Sequence, residues 1–145
     1  MNVSCLVIED NSTERARVKE VLHTHFPNIT EVTYAHTAAE AKTNLLLAQP
    51  HLILADINLG DALVFDVLKE IPHLNSKIIF TTSHSKYAIE AFKFSAINYL
   101  LKPYDVAELI SEVKKTIALI NQENYHQQLE VLFHNMKAKE APKRL

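Results

Sequence analysis

Residues 51–65 read HLILADINLGDALVF, and the run Leu52, Ile53, Leu54, Ala55 is apolar without alternation until it stops on Asp56. A strand with one wet face alternates apolar and polar residues, whereas a strand covered on both faces is apolar throughout. The stretch therefore reads as an interior strand of a parallel sheet, with a carboxylate delivered to its tip, where sheet meets water. Similar runs recur along the chain: CLVIED, ITEVTYA, HLILAD, KIIFTT and INYLLKP, ending near positions 10, 35, 56, 82 and 102. Between them lie segments of helical period, such as ERARVKEVLHTHF with Val18, Val21, Leu22 and Phe26 on one side, and TAAEAKTNLLLAQ with Ala38, Ala41, Leu45 and Ala48. Strand and helix alternate, which predicts an α/β doubly wound fold: a five-stranded parallel sheet of flavodoxin-like order 2-1-3-4-5, with five helices on its two faces.

The last helix is expected to start at DVAELISEVKKTIALI, where Asp105 and Glu108 have capping-box spacing, and to close the domain near residue 120. Residues 1–120 are thus one domain. Residues 121–145 follow as an extension, with Tyr125, Leu129, Leu132 and Met136 on one helical stripe and a Lys-rich end containing Pro142. The closing KEAPKRL reads as a linker toward a further domain.

Composition narrows the classes of function. The lone cysteine, Cys5, lies in an apolar run and has no partner for an internal bridge, which fits a reducing compartment. No apolar stretch approaches the roughly 20 residues that span a bilayer, and no basic, then apolar, leader opens the chain, so a cytoplasmic protein without membrane contact is expected. Net charge is -2, and residues 1–120 carry 11 basic against 14 acidic side chains, so this chain alone is not expected to bind nucleic acid. The single glycine, Gly60, excludes the Gly-rich phosphate loops of Rossmann and P-loop proteins.

In a parallel sheet the carboxyl ends of the strands share one edge, and ligands bind there. The expected strands bring Glu9 and Asp10, Asp56, Thr81 and Thr82, and Lys102 followed by Pro103 to that edge. Each acid has a plain structural role open to it: Glu9 and Asp10 as caps of the first helix, Asp56 as a cap of the third. Taken together they read differently. Carboxylates about 5 Å apart repel by roughly 3 kcal/mol per pair at an effective dielectric near 20, so three of them call for a cation. Oxygen donors alone point to Mg²⁺, which leaves one carboxylate free to react. Asp56 is the natural nucleophile for a phosphoryl group, with Lys102 as cation and a threonine hydroxyl as donor. Strand alternation lets only one of Thr81 and Thr82 face the site, and Thr82 is favoured. Tyr99 is open to a plain core reading. The eight histidines are scattered and lack metal-site spacing.

The segments VIEDN, LILADINL, IIFTTS and INYLLKP resemble the motifs of the response regulator receiver domain over about residues 1–120, and KYAIEAFKFSAINYLLKPYD is similar to the LytTR class of transcriptional regulators. The resemblance implies Asp56 as the phosphorylation site, Glu9 and Asp10 as the acidic metal pair, and the backbone carbonyl of Asn58 as a further Mg²⁺ ligand. It also implies Thr82 as switch hydroxyl, Tyr99 as aromatic switch, and a cis bond between Lys102 and Pro103. Phosphate would come from a sensor histidine kinase. The domain would pair as a homodimer through its helix 4–strand 5–helix 5 face, and the parent protein would bind DNA through a domain beyond Leu145. The chain departs from the family pattern where Gly60 and Val64 stand in place of a common Pro and Gly, which implies a different loop after the third strand. Ser83 likewise replaces a common Ala after the switch threonine, and His84 occupies the position two beyond it, where the resemblance implies that dephosphorylation is tuned.

Two other functions compete. A haloacid-dehalogenase-like phosphatase also uses an aspartate nucleophile and Mg²⁺, but needs a second Asp two residues on, where this chain has Asn58, which cannot act as acid or base. A stand-alone receiver acting by protein contacts is the other alternative. The receiver reading makes the chain a signalling module and not an enzyme, its only chemistry being phosphoryl transfer to its own Asp56.

Overall fold

A computed structural model describes residues 2–60, 62–87 and 98–140. The strands are β1 (Val3–Ile8), β2 (Ile29–Ala35), β3 (Leu52–Asp56), β4 (Asn58–Leu59), β5 (Ala62–Leu63), β6 (Lys77–Thr82) and β7 (Asn98–Leu101). The helices are α1 (Ser12–His25), α2 (Ala38–Leu47), α3 (Val64–Lys69) and α4 (Val106–Glu140), with one 3₁₀ turn at Ser85–Tyr87. The main sheet has five parallel strands in the order β2-β1-β3-β6-β7, the flavodoxin-like order expected from sequence. The fourth of the five expected helices falls on residues 88–97, outside the described residues.

Strand alternation builds two cores from the same strands. Val3, Cys5 and Val7 of β1 and Leu52 and Leu54 of β3 pack with α1 and α4, while Leu6, Ile8, Ile53 and Ala55 pack on the opposite face with α2 and α3. A segment buried on both faces has no position for a polar side chain until the strand ends, which is why the polar groups collect at one edge. Burial pushes the Cys5 thiol up to about 12, a hydrogen bond to the Leu54 backbone offsetting a little of this, so Cys5 is an inert core residue.

The helices largely follow their sequence signals. Val18, Val21 and Leu22 are the buried face of α1, and Asn11 caps it by accepting from the amides of Thr13 and Glu14. Helix α2 buries Ala41 and Leu45 but stops at Leu47, so Ala48 becomes an extended, exposed C-cap and not a fourth core residue. At α4 the Glu108 half of the expected box is present, with Asp105 N donating to Glu108 Oε1 at 3.5 Å. That helix then runs unbroken from Val106 to Glu140, straight through the expected boundary near residue 120. Lys77 Nζ lies 2.6 Å from Glu123 Oε1 and ties the helix to the start of β6 just beyond that point.

The loop after β3 is a small antiparallel hairpin, with Asn58 opposite Leu63 and Leu59 opposite Ala62. Gly60 turns it at φ +76, a left-handed conformation that L side chains adopt at a cost. Val64 N donates to Ile57 O at 2.8 Å, closing the hairpin against the end of β3. An added Cβ at Gly60 meets nothing within 4 Å, so only the backbone opposes substitution. Gly60→Ala should lower stability by about 1 kcal/mol and Gly60→Asn by less, read as the shift in urea midpoint at unchanged slope.

Candidate functional site

The backbone ladder continues past the strand ends and fixes the groups that follow. Ile57 N donates to Thr81 O at 2.9 Å and Lys102 N to Thr82 O at 2.7 Å, which locks the residue after Asp56 and Lys102 itself to the end of β6. Glu9 N donates to Ala35 O at 3.0 Å, so the first acid extends β1 by one residue. Three carboxylates arrive together as a result: one oxygen each of Glu9, Asp10 and Asp56 lies within 4.8 Å of the others. Glu9 and Asp56 are buried and Asp10 is exposed.

Lys102 lies among them. Its Nζ is 2.7 Å from Glu9 Oε1 and 3.3 Å from Asp56 Oδ2, and its side chain is mostly buried. Burial alone would lower the pKa of this ammonium, but the hydrogen bond to Glu9 and the charges of Asp56 and Glu9 outweigh it, and the net shift is upward. Asp10 shifts up as well, through desolvation first and then through its hydrogen bond with Glu9 and the repulsion of that neighbour. The remaining carboxylate oxygens are held by backbone amides, with Asn11 N donating to Glu9 Oε2 and Asn58 N to Asp56 Oδ1, both at 3.2 Å. Lys102–Pro103 is a cis peptide, as the resemblance implied.

The simple capping roles fail. Asn11 takes the cap of α1, and α3 begins after Leu63 with no side-chain cap, so neither Glu9, Asp10 nor Asp56 serves a helix start in that way. The acids instead face an open cavity of about 650 Å³ bordered also by Asn58, Gly60, His84, Lys102 and Tyr104. Thr82 is fully buried, and its hydroxyl accepts the His84 amide at 3.1 Å. Thr81, also buried, lines a small pocket beneath Asp56 with Val7 and Leu54. Tyr99, on β7, is half-buried against the core beside α2 and α3.

Two arginines of α1 were not singled out from sequence. Arg15 Nη1 donates to the Glu9 carbonyl at 2.8 Å, and Arg17 Nη2 donates to the Tyr104 carbonyl at 2.6 Å while its guanidinium sits 4.8 Å from the Tyr104 ring centre. They brace the backbone on either side of the acidic cluster, one next to Glu9 and one just past the cis bond. The only sequence signal is that Arg17 adjoins the apolar stripe of Val18, Val21 and Leu22.

A parallel sheet thus carries a lysine-bridged carboxylate cluster at its carboxyl edge. The chain belongs to the response regulator receiver domain family, whose model matches residues 5–114. It is 30% identical over 112 residues to the sensory transduction protein LytT of Enterococcus faecalis, covering 76% of this chain and 46% of that one. It is 29% identical over 118 residues to the transcriptional regulatory protein LytR of Staphylococcus aureus strain N315, covering 80% and 48% respectively. The chain therefore spans about half the length of the curated relatives it matches. Among solved structures it is similar to response regulator protein TrrA from Thermotoga maritima in complex with Mg(2+)-BeF, at 27% identity and a TM-score of 0.66, over 80% of this chain and 99% of that one. Membership of this family sets aside the phosphatase alternative. No helix among the described residues is long and apolar enough to cross a membrane.

The electrostatics make opposite predictions for neighbouring acids. In metal-free buffer containing a chelator, Asp10→Asn should raise the melting temperature by a few degrees, because it removes one repelling charge and no buried pair. Glu9→Gln should lower stability by about 1–3 kcal/mol, because the buried Lys102 ammonium loses its nearest charged acceptor. Calorimetry on the two variants checks both signs.

Proposed function

We propose that Asp56 accepts a phosphoryl group from the phosphohistidine of a sensor histidine kinase, and that the chain is the receiver part of a cytoplasmic two-component transcriptional regulator of the LytTR type. The observation that carries this reading is the position of Asp56: a buried carboxylate at a strand tip, sharing the Lys102 ammonium with Glu9 and open to a cavity. In the transfer an Asp56 oxygen forms a bond to phosphorus as the donor's N–P bond breaks, and the electron pair leaves with the imidazole. Lys102 holds the carboxylate before transfer and a phosphoryl oxygen after it. The Thr82 hydroxyl, which accepts the His84 amide at 3.1 Å, is the donor that turns toward the phosphoryl group.

The donor set suits a hard divalent cation: Glu9, Asp10 and Asp56 offer oxygen alone within a compact cluster, and the Asn58 carbonyl lies two residues from Asp56. Mg²⁺ held there would neutralise the charge of the transferring phosphoryl group. The Mg(2+)-BeF complex of the Thermotoga relative supports this cation.

Movement of Thr82 toward the phosphoryl group leaves room for Tyr99 to move inward, and the two side chains form the bistable element. Their motion alters the face that includes β7 and the first turns of α4, through which the phosphorylated domain forms a homodimer. Residues 1–120 make up the receiver and 121–145 the extension toward a DNA-binding domain. The matched relatives are about twice as long and include a transcriptional regulatory protein, which supports DNA as the partner of the parent and not of this chain.

Incubation with acetyl phosphate and Mg²⁺ should add the mass of one phosphoryl group to the wild type and none to Asp56→Asn or Asp10→Asn, read by intact-mass spectrometry. Phosphorylation of Asp56→Asn to the wild-type extent would overturn the assignment. Thr82→Ala should still be phosphorylated, yet lose at least about tenfold in phosphorylation-dependent dimerisation by sedimentation, equivalent to about 1.4 kcal/mol of coupling.

A further inference from the structure

The α4 helix changes its environment halfway along. From Leu109 to Ile120 one face is buried in the domain, through Leu109, Val113, Ile117 and Ile120. Among the described residues that core ends at Ile120, yet the helix goes on for five more turns and carries exposed Tyr125, Leu132, Phe133 and Met136, each about half accessible. At 100° per residue, the stripe of Tyr125, Leu129, Leu132 and Met136 lies about 135° around the helix from the buried face. Among the described residues it therefore faces away from the core of the domain that carries it, with Leu129 alone of the four partly buried.

The spacing of the stripe is 4, 3, 4, which is a heptad with Leu129 and Met136 at a and Tyr125 and Leu132 at d. Extended toward the domain, the same register places Gln122 at a and the exposed Ala118 at d. The large exposed apolar residues of α4 beyond residue 118 are Leu119, Tyr125, Val131, Leu132, Phe133 and Met136. All but Val131 fall at a, d or e, so the exposure follows a coiled-coil seam and not a scattered surface. The charges avoid it. Between residues 118 and 136 no Lys, Arg, Asp or Glu occupies a, d, e or g, while Glu123 and Glu130 both sit at b, on the outside. A seam with no charge on its flanks brings no like charges together when it meets its own copy, which a two-fold interface requires.

We propose that two copies of this chain pair through residues 118–136 of α4 as a short parallel coiled coil, with the two receiver domains on the outer sides. Parallel pairing sets Gln122 against Gln122, where the amides hydrogen-bond each other and fix the register as a single polar a position does. The seam stops before the next a position toward the domain, Lys115, whose side chain is 64% exposed and would face its own copy. Ala118 at the domain end is small enough for the helices to approach there. This interface lies mostly past Ile120, separate from the face of β7 and the first turns of α4, and does not rest on Asp56 accepting a phosphoryl group. It forms without phosphodonor and holds the pair at high local concentration for whatever that face does next.

The test is sedimentation of the 145-residue chain without phosphodonor, from about 1 μM to about 1 mM, the range over which a seam of under three heptads is expected to titrate. The wild type should pass from monomer to dimer, and the double variant Leu129→Glu, Leu132→Glu should stay monomeric with its core melting unchanged, since both residues lie past the domain core. As a second readout, Leu132→Cys should crosslink to its copy under mild oxidation and Glu130→Cys should not. The buried Cys5 does not compete. A wild type that stays monomeric throughout, a dimer that survives the double variant, or crosslinking at 130 as fast as at 132 would each overturn the proposal.

Discussion

The Lys102 ammonium, 2.7 Å from Glu9 and 3.3 Å from Asp56, is what allows three carboxylates to crowd the end of a buried sheet. At an effective dielectric near 20, a contact of about 3 Å between opposite charges is worth about 5 kcal/mol, and a carboxylate pair near 5 Å costs about 3. One lysine thus roughly offsets the mutual repulsion but leaves the cluster with a net negative charge. That residual charge is what a bound Mg²⁺ would neutralise, and a phosphoryl group on Asp56, as proposed, would take over the ammonium's bond to that carboxylate. The opposite placement, with the lysine absent, would leave two buried acids uncompensated at a cost that a domain of this size could not easily bear.

The fold exists around this edge in a specific sense. Because β3 is buried on both faces, its polar residue can only be terminal, and because the neighbouring strands are parallel their terminal groups meet it. Amides then finish what the strands begin. Asn58 and Asn11 hold the free carboxylate oxygens, the hairpin turned by Gly60 closes the loop after Asp56, and Arg15 and Arg17 pin the backbone near Glu9 and beyond Pro103. Each is a local contact with no strong periodic signature.

That division explains what the sequence made legible. Two-sided strands and helical stripes are repeated signals, so the sheet order and the meeting of Glu9, Asp10, Asp56 and Lys102 could be read directly, and the acidic cluster is present as expected. The hairpin could be read only as a departure, from Gly60 and Val64 standing where other residues are common. Ala48 falls on the helical period of Ala38, Ala41 and Leu45 although α2 ends at Leu47, because periodicity does not report where the chain turns toward Pro50. Arg15 and Arg17 were missed because their partners are carbonyls of Glu9 and Tyr104, and a carbonyl has no sequence identity. The unbroken run of α4 past residue 120 was half visible: the stripe from Tyr125 to Met136 marked a helix, but nothing marked its continuity with the one before.

A phosphoryl site at Glu9, Asp10, Asp56 and Lys102 that is linked to the Thr82 and Tyr99 region has a spectroscopic consequence. The most direct measurement compares ¹H–¹⁵N spectra of the metal-free chain with those in Mg²⁺ and beryllium fluoride, which mimics a phosphoryl group on a carboxylate. Large shifts are expected at Asn11, Ile57, Asn58, Ser83 and His84, continuing to Tyr99 and Lys102, with Cys5 and α4 beyond Ile120 unmoved. Shifts confined to the Mg²⁺-contacting acids, or an identical response in Asp56→Asn, would contradict it.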